Sequence, residues 1–514
     1  MVNWATNGLR AASCGLALVL VVAGCTAAEP RGEAGAFGSQ SEKTRDVVVL
    51  ADPVPGFGRI GGDTEDMALE SSQAFFEKAP AVVVLGKDGA QDDAAKMART
   101  LGVPLLVAPD GAPEDASDQQ DFGSELGRLG ARTLIAYGAL SDSLAGGLDV
   151  VDGSASNADL PEVDHAEGTT ESGFAVVVRA GEKAAKAAGP ALATAQAAGA
   201  DLHTMDSDDP RAAKNQEFFQ NHAASELYAI GNGFGKTKDF SALAATAAEG
   251  KQLPGGGQIV FPDRRMVALY GTPGTASLGL LGEQDVDGAI KRAKKYAEEY
   301  QPHSKEKVQP AFEIIATVAS ASAGKDGKYS SYVPVERLEP WVKAAQEAGV
   351  YVVLDLQPGR NDFLTQAKHY EKLLTYPNVG IAYDPEWRLK PGQRHMVQIG
   401  SVDAAELNRA NDWLAELTRK QKLPQKIVIL HQFTRSMIRD RAALDTSHPE
   451  LAMVVHADGN GTPGMKMATW KSLRLDLPDG IWMGWKNFID EDSPTFTPKK
   501  TFDIDPKPWF VSYQ

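Results

Sequence analysis

Hydrophobic positions fall into two patterns along the chain. From residue 46 to about 250, short apolar runs alternate with alanine-rich stretches of helical period: DVVVLAD (46–52), AVVVLG (81–86), VPLLVAP (103–109), RTLIAYG (132–138), FAVVVRA (174–180) and ELYAIGNG (226–233). Runs without polar alternation suit strands buried on both faces, so this half is expected to fold as doubly wound parallel α/β units. PGGG (254–257) then punctuates the chain. Beyond it the strand signal recurs eight times: MVALYG (266–271), AFEIIAT (311–317), YVVLDLQ (351–357), VGIAYDPE (379–386), KIVILHQF (426–433), LAMVVHAD (451–458), GIWMGWKN (480–487) and PWFVSYQ (508–514). Amphipathic stretches such as VDGAIKRAKKYAEEYQ (286–301) and RLEPWVKAAQEAG (337–349) fill most gaps, while 489–508 reads as loop. Eight strands with intervening helices over this length predict a (β/α)8 TIM-type barrel. Residues 46–253 and 258–514 are the expected domains.

The first residues follow a different grammar. Arg10, an apolar run over 11–22 and the small residues Ala23 and Gly24 form a signal peptide, and the run is too short to span a bilayer. LVVAGC (20–25) resembles the lipobox of bacterial lipoproteins, which implies diacylglycerol on Cys25 and removal of residues 1–24. The other cysteine, Cys14, lies in the removed segment, so no disulfide is expected. Residues 25–45 are small, polar and aperiodic, as a flexible tether would be. The expected location is the outer face of the cell membrane, lipid-anchored and associated with the wall.

Composition, at 43% hydrophobic and 23% charged, is ordinary for a globular chain. The formal charge of -16 excludes a general phosphate-binding surface, hence nucleic acid as a partner. It also disfavours strongly anionic wall polymers unless a local basic patch receives them, and leaves neutral glycans as the simplest ligands.

The segment beginning at AVVVL (81–85) is echoed by the one beginning at FAVVVR (174–179), each continuing through a helix, a second run and a third. GRIGGDTEDMALESSQAFF (58–76), LGVPLLVAPD (101–110) and ELGRLGARTLIAYGALSD (125–142) resemble the cell-wall-binding repeat 2 family of Gram-positive surface proteins. Thr64, Glu65 and Asp66 stand where that family carries a second arginine and a threonine. The resemblance implies attachment to cell-wall polysaccharide. GNGFGKT (231–237) is not a phosphate loop, because Ile230 replaces the required first glycine; it reads as a strand-ending turn. His203 and His222 have no metal-ligand spacing.

Chemistry in such a barrel belongs at the C-terminal strand ends. The polar residues there are Asp355, Gln357, Asp384, Glu386, His431, Gln432, His456, Asp458, Trp485 and Asn487, with Trp387 next in the chain. Asp384 and Glu386, two apart, are expected on one side, with Asp355 on the neighbouring strand. Several carboxylates with tryptophans around one concavity suit glycoside cleavage: one acid protonates the leaving oxygen and an ionised partner supports the oxocarbenium charge. Glu386, Asp384 and Asp355 are the catalytic candidates. Gln357, Trp387, His431, Gln432, Asp458, Trp485 and Asn487 are the substrate-binding candidates, Trp387 and Trp485 by stacking on pyranose faces. NVGIAYDPEW (378–387) resembles the fourth-strand motif of chitinase-like glycoside hydrolases, D-x-D-x-E. That resemblance implies Glu386 as the catalytic acid and Asp384 as the residue orienting an acetamido group, although Val379 and Ala382 replace the earlier aspartates.

GTASLG (274–279) lacks the first glycine of a serine-hydrolase elbow. No metal or cofactor motif occurs, and His431, His456 and Asp458 read as buried or loop-bonded groups. The sequence therefore favours a lipid-anchored, wall-associated glycan hydrolase. The alternative is a non-catalytic wall- or carbohydrate-binding lipoprotein with an inert barrel. A transporter's solute-binding protein fits less well, because no two-lobed hinge is present.

Overall fold

The computed structural model describes residues 47–52, 56–109, 116–166, 173–223, 226–235 and 237–514. The expected signal peptide, the expected lipidation site Cys25 and the expected tether lie outside the described residues. Asp46–Gln514 forms one compact unit. No helix among the described residues is long and apolar enough to cross a membrane.

The N-terminal half carries two four-stranded parallel sheets. One is ordered Leu105–Val107, Ala81–Leu85, Thr133–Tyr137, Asp149–Asp152. The other is ordered Asp201–Met205, Phe174–Arg179, Glu226–Ile230, Phe57–Ile60. In each, the first strand of the echoed segment lies between the second and third. Helices Thr64–Phe75, Gln91–Leu101 and Glu182–Ala197 contribute to a common core with residues of both sheets. Thr64–Phe75 starts in a capping box: Asp63 accepts from the backbone N–H of Asp66, and the Asp66 side chain accepts from that of Asp63. A helix start therefore accounts for the acidic residues at 63–66.

The C-terminal half is a closed barrel of eight parallel strands: Arg264–Gly271, Lys307–Ala319, Tyr351–Leu356, Val379–Tyr383, Lys426–Gln432, Leu451–Ala457, Trp482–Asn487 and Phe510–Tyr513. The first strand pairs with both the second and the eighth, which closes the cylinder. Helices Val286–Tyr300, Val335–Glu347, Ala404–Lys420 and Pro463–Arg474 cover it, with short helices after the third and seventh strands. Between the fifth and sixth strands the structure has short 3-10 turns and the two-residue strand Ile438–Arg439, which pairs with Val402–Asp403, in place of a long helix.

Side chains alternate in and out along every strand. The lower interior is apolar, with Met266, Ala268, Ala311, Tyr351, Val353, Ala382, Ile427, Ile429 and Val454. Leu253, Val260 and Phe261 belong to that cluster, Trp482 and Trp509 pack against it, and the Arg264 guanidinium donates to the Pro254 carbonyl at 2.7 Å. Residues from the glycine-rich punctuation thus belong to the barrel floor. The two halves also touch: buried Arg211 donates to the carbonyl of Pro449 at 2.7 Å, and Lys251 to that of Gln421 at 2.9 Å.

Candidate active site

Above the apolar floor, each strand or its end contributes one polar group. In chain order they are Tyr270, Glu313, Asp355, Asp384, His431, His456, Lys486 and Ser512, all buried. Strand register sets Tyr270 opposite Glu313, His431 opposite His456 and Lys486 opposite Ser512. Charges so deep persist only when paired.

Two cations and two carboxylates supply that pairing. His431 lies 2.8 Å from Glu313 Oε1 through Nε2 and 2.9 Å from Asp458 Oδ2 through Nδ1. Both acceptors are carboxylates, so both ring nitrogens carry hydrogen and the ring is imidazolium. Lys486 Nζ lies 3.1 Å from Asp458 Oδ1 and 3.8 Å from the centre of the Tyr270 ring. Against the cost of burial, Glu313 is held low chiefly by His431, and Asp458 by Lys486 and then His431. His431 and Lys486 are correspondingly raised, although burial alone would lower them. His456, beside Ser512 Oγ at 2.8 Å, is pushed by burial down to about 3 and stays neutral.

The remaining acids go the other way. Burial raises Asp355 to about 6, with further upward pressure from Glu313. The Tyr270 hydroxyl donates to Asp355 Oδ2 at 2.9 Å. Asp384 is raised well above the usual carboxyl range by burial and by the charges of Asp355, Asp458 and Glu386. Glu386 is raised too, first by burial and then by Asp458.

An open cavity of about 520 Å³ sits over this layer. Asp384, Glu386, Asp458, Lys486, Gln357 and Asn460 supply its polar lining; Trp387, Phe433, Phe488 and Met465 supply much of its apolar wall. The fourth strand ends at Tyr383, and Asp384 caps the following 3-10 turn, accepting from the Glu386 N–H at 3.2 Å. The turn therefore orients Glu386, rather than strand alternation. Arg388 and Arg435 stay out of the cluster, pairing with Glu406 and Asp476.

Of the residues expected from sequence, Asp384, Glu386, Gln357, Trp387 and Asp458 meet at the cavity. Asp355 and His431 lie fully buried in the polar layer. Gln432, Trp485 and Asn487 do not reach the cavity. Gln432 donates to the Thr434 carbonyl. Trp485 packs against Trp470 and Phe496 on the helix side of the strand, its indole N–H donating to Asn487 Oδ1 at 2.9 Å. Pyranose stacking by Trp485 is excluded by that burial, because Lys486 takes the inward position. Glu313, Lys486 and Tyr270 escaped sequence reasoning. A lone acid inside AFEIIAT and a lysine inside GIWMGWKN were the available signals.

Asp355 gives a pH test. Its folded value near 6 exceeds its ordinary value of 3.8, so between these the folded state keeps a proton the unfolded chain has released. Stability from this group therefore falls as pH rises through that window. His456 acts oppositely over much of the same range, so the difference between variants isolates the effect. Asp355→Asn should gain stability relative to wild type between about pH 4 and 6 and then level off. A flat difference in denaturant midpoints would contradict the raised value.

No family model and no curated protein matches the chain. Among solved structures, Cwp6 from Clostridium difficile is similar over 75% of this chain and 66% of that one, just under two thirds of its length, at 14% identity and a TM-score of 0.18. A likeness that slight assigns neither fold nor activity.

Proposed function

We propose that the barrel is a glycoside hydrolase acting on a cell-wall glycan, with Glu386 as proton donor and Asp458 as its ionised partner. The supporting observation is that two carboxyl groups lining one cavity are pushed in opposite directions, Glu386 upward and Asp458 downward. Such divergence suits one group to donate a proton and the other to remain charged. Glu386 would protonate the glycosidic oxygen as its bond to the anomeric carbon breaks, and Asp458 would face the developing positive charge. Either Asp458 takes a proton from the attacking water, or it bonds the anomeric carbon and is released by water as Glu386 recovers its proton. Asp384, raised by burial and accepting from the Glu386 N–H, is a positioning residue. Trp387 is the aromatic platform that remains after Trp485 is withdrawn.

In this reading residues 46–253 hold the protein to wall polysaccharide and Cys25 anchors it in the membrane outside the cell. The shared strand order of the two N-terminal sheets supports treating them as copies of one unit. One observation favours the second reading, a sugar-binding cleft without turnover: Lys486 at 3.1 Å occupies Asp458 as a structural partner. Incubation with purified wall fractions decides between them. Release of oligosaccharides with new reducing ends supports the hydrolase, and binding without release supports the cleft.

A further inference from the structure

A second depression of about 520 Å³ opens beside the catalytic cavity, on the loops that follow the second, third and fourth strands. Each of these strands, together with the loop after it, lines both spaces. Val318 and Ala319 face the catalytic cavity and Lys328 the depression; Gln357 and Arg360 divide likewise; Trp387 and Arg388 do so as consecutive residues.

Its charge is opposite to that of the protein. The chain carries -16, yet five cations line this space against Asp326, Asp403 and Glu406. Arg388 is matched by Glu406 and Arg439 by Asp403. Among the described residues no carboxylate ion-pairs with Lys328, Arg360 or Lys390, and Asp326 accepts from the backbone N–H of Lys328. Arg360 is held ready: its guanidinium lies 4.5 Å from the centre of the Tyr329 ring and donates to the Gln393 carbonyl at 2.9 Å. Its buried Nε has no hydrogen-bond partner. The 17-residue helix Ala404–Lys420 begins here, and Asp403 at its N-cap makes no side-chain capping bond. The positive end of that helix adds to the field.

We infer that this depression is a subsite for an acidic group carried by the glycan, a sugar carboxylate or phosphate ester, while a neighbouring unit occupies the catalytic cavity. The inference rests on the hydrolase reading for its substrate but not for its test. A guanidinium and two ammonium groups without carboxylate partners are suited to an oxyanion. This is the local basic patch that the overall charge requires of any anionic ligand.

The test is titration of the full chain with glucose, glucuronate and glucose 6-phosphate, followed by NMR, in wild type and a Lys328→Gln/Lys390→Gln variant. Both lysines lie outside the catalytic cavity. At least one charged sugar should bind wild type tenfold or more tighter than glucose, and whichever does so identifies carboxylate or phosphate. The variant should lose that preference and keep its glucose affinity. Equal affinity for all three sugars, no binding, or a preference surviving in the variant would overturn the subsite. Turnover does not enter this readout, so an inactive barrel that retains the preference would overturn the hydrolase reading alone.

Discussion

Replacing Glu386 by glutamine is expected to lower kcat on a wall-derived oligosaccharide by about 10²- to 10⁴-fold, the usual contribution of general acid catalysis. Binding and thermal stability should barely change. Glutamine keeps the shape of the side chain but has no proton to deliver. The contacts that place residue 386 are made by its backbone: its N–H to Asp384 Oδ1 at 3.2 Å, and its carbonyl, which accepts from the Gly400 N–H at 2.8 Å. Both survive the substitution. Turnover and calorimetric binding, measured side by side, check this; a lowered melting temperature would instead make Glu386 part of the scaffold.

The second large effect is on stability. Lys486 is buried against Asp458 and is further raised by Glu313, Asp384 and Asp355. Lys486→Met would leave this acidic set with His431 as its remaining close cation. Breaking a buried pair on one side costs about 3–5 kcal/mol, because the abandoned charge stays desolvated. The denaturant midpoint should fall accordingly. Adding Asp458→Asn should restore part of the loss, since the uncompensated charge is then gone. A single variant as stable as wild type would show that Lys486 does not balance the layer.

The eight barrel strands were legible because each is a continuous apolar run bounded by polar residues, a pattern imposed by burial on both faces. In the N-terminal half, Phe57–Ile60 was not legible as a strand, because it is short and mostly not buried, and Asp201–Met205, exposed at its first residue, was legible only as the echo of VPLLVAPD. Within the site, a rule that polar residues sit at strand ends found Asp384, Glu386 and Asp458. It failed where facing mattered more than position. In WKN (485–487) the tryptophan and asparagine point into the helix layer and the lysine points inward. Glu313 sits mid-strand, where a charge survives only because His431 reaches it across the barrel. Such partners come from distant segments, so no local pattern announces them. The upward shift of Glu386 likewise comes from burial and from Asp458, a residue far away in sequence.

The most direct test is the pH dependence of kcat/KM on a released wall oligosaccharide, for wild type and Glu386→Gln. A proton donor held above the usual carboxyl range beside a partner held below it predicts a bell. Its acidic limb should report Asp458 and its alkaline limb Glu386, and the residual activity of Glu386→Gln should lack the alkaline limb. A Glu386→Gln enzyme with wild-type rate and an unchanged alkaline limb would contradict the assignment of the proton donor.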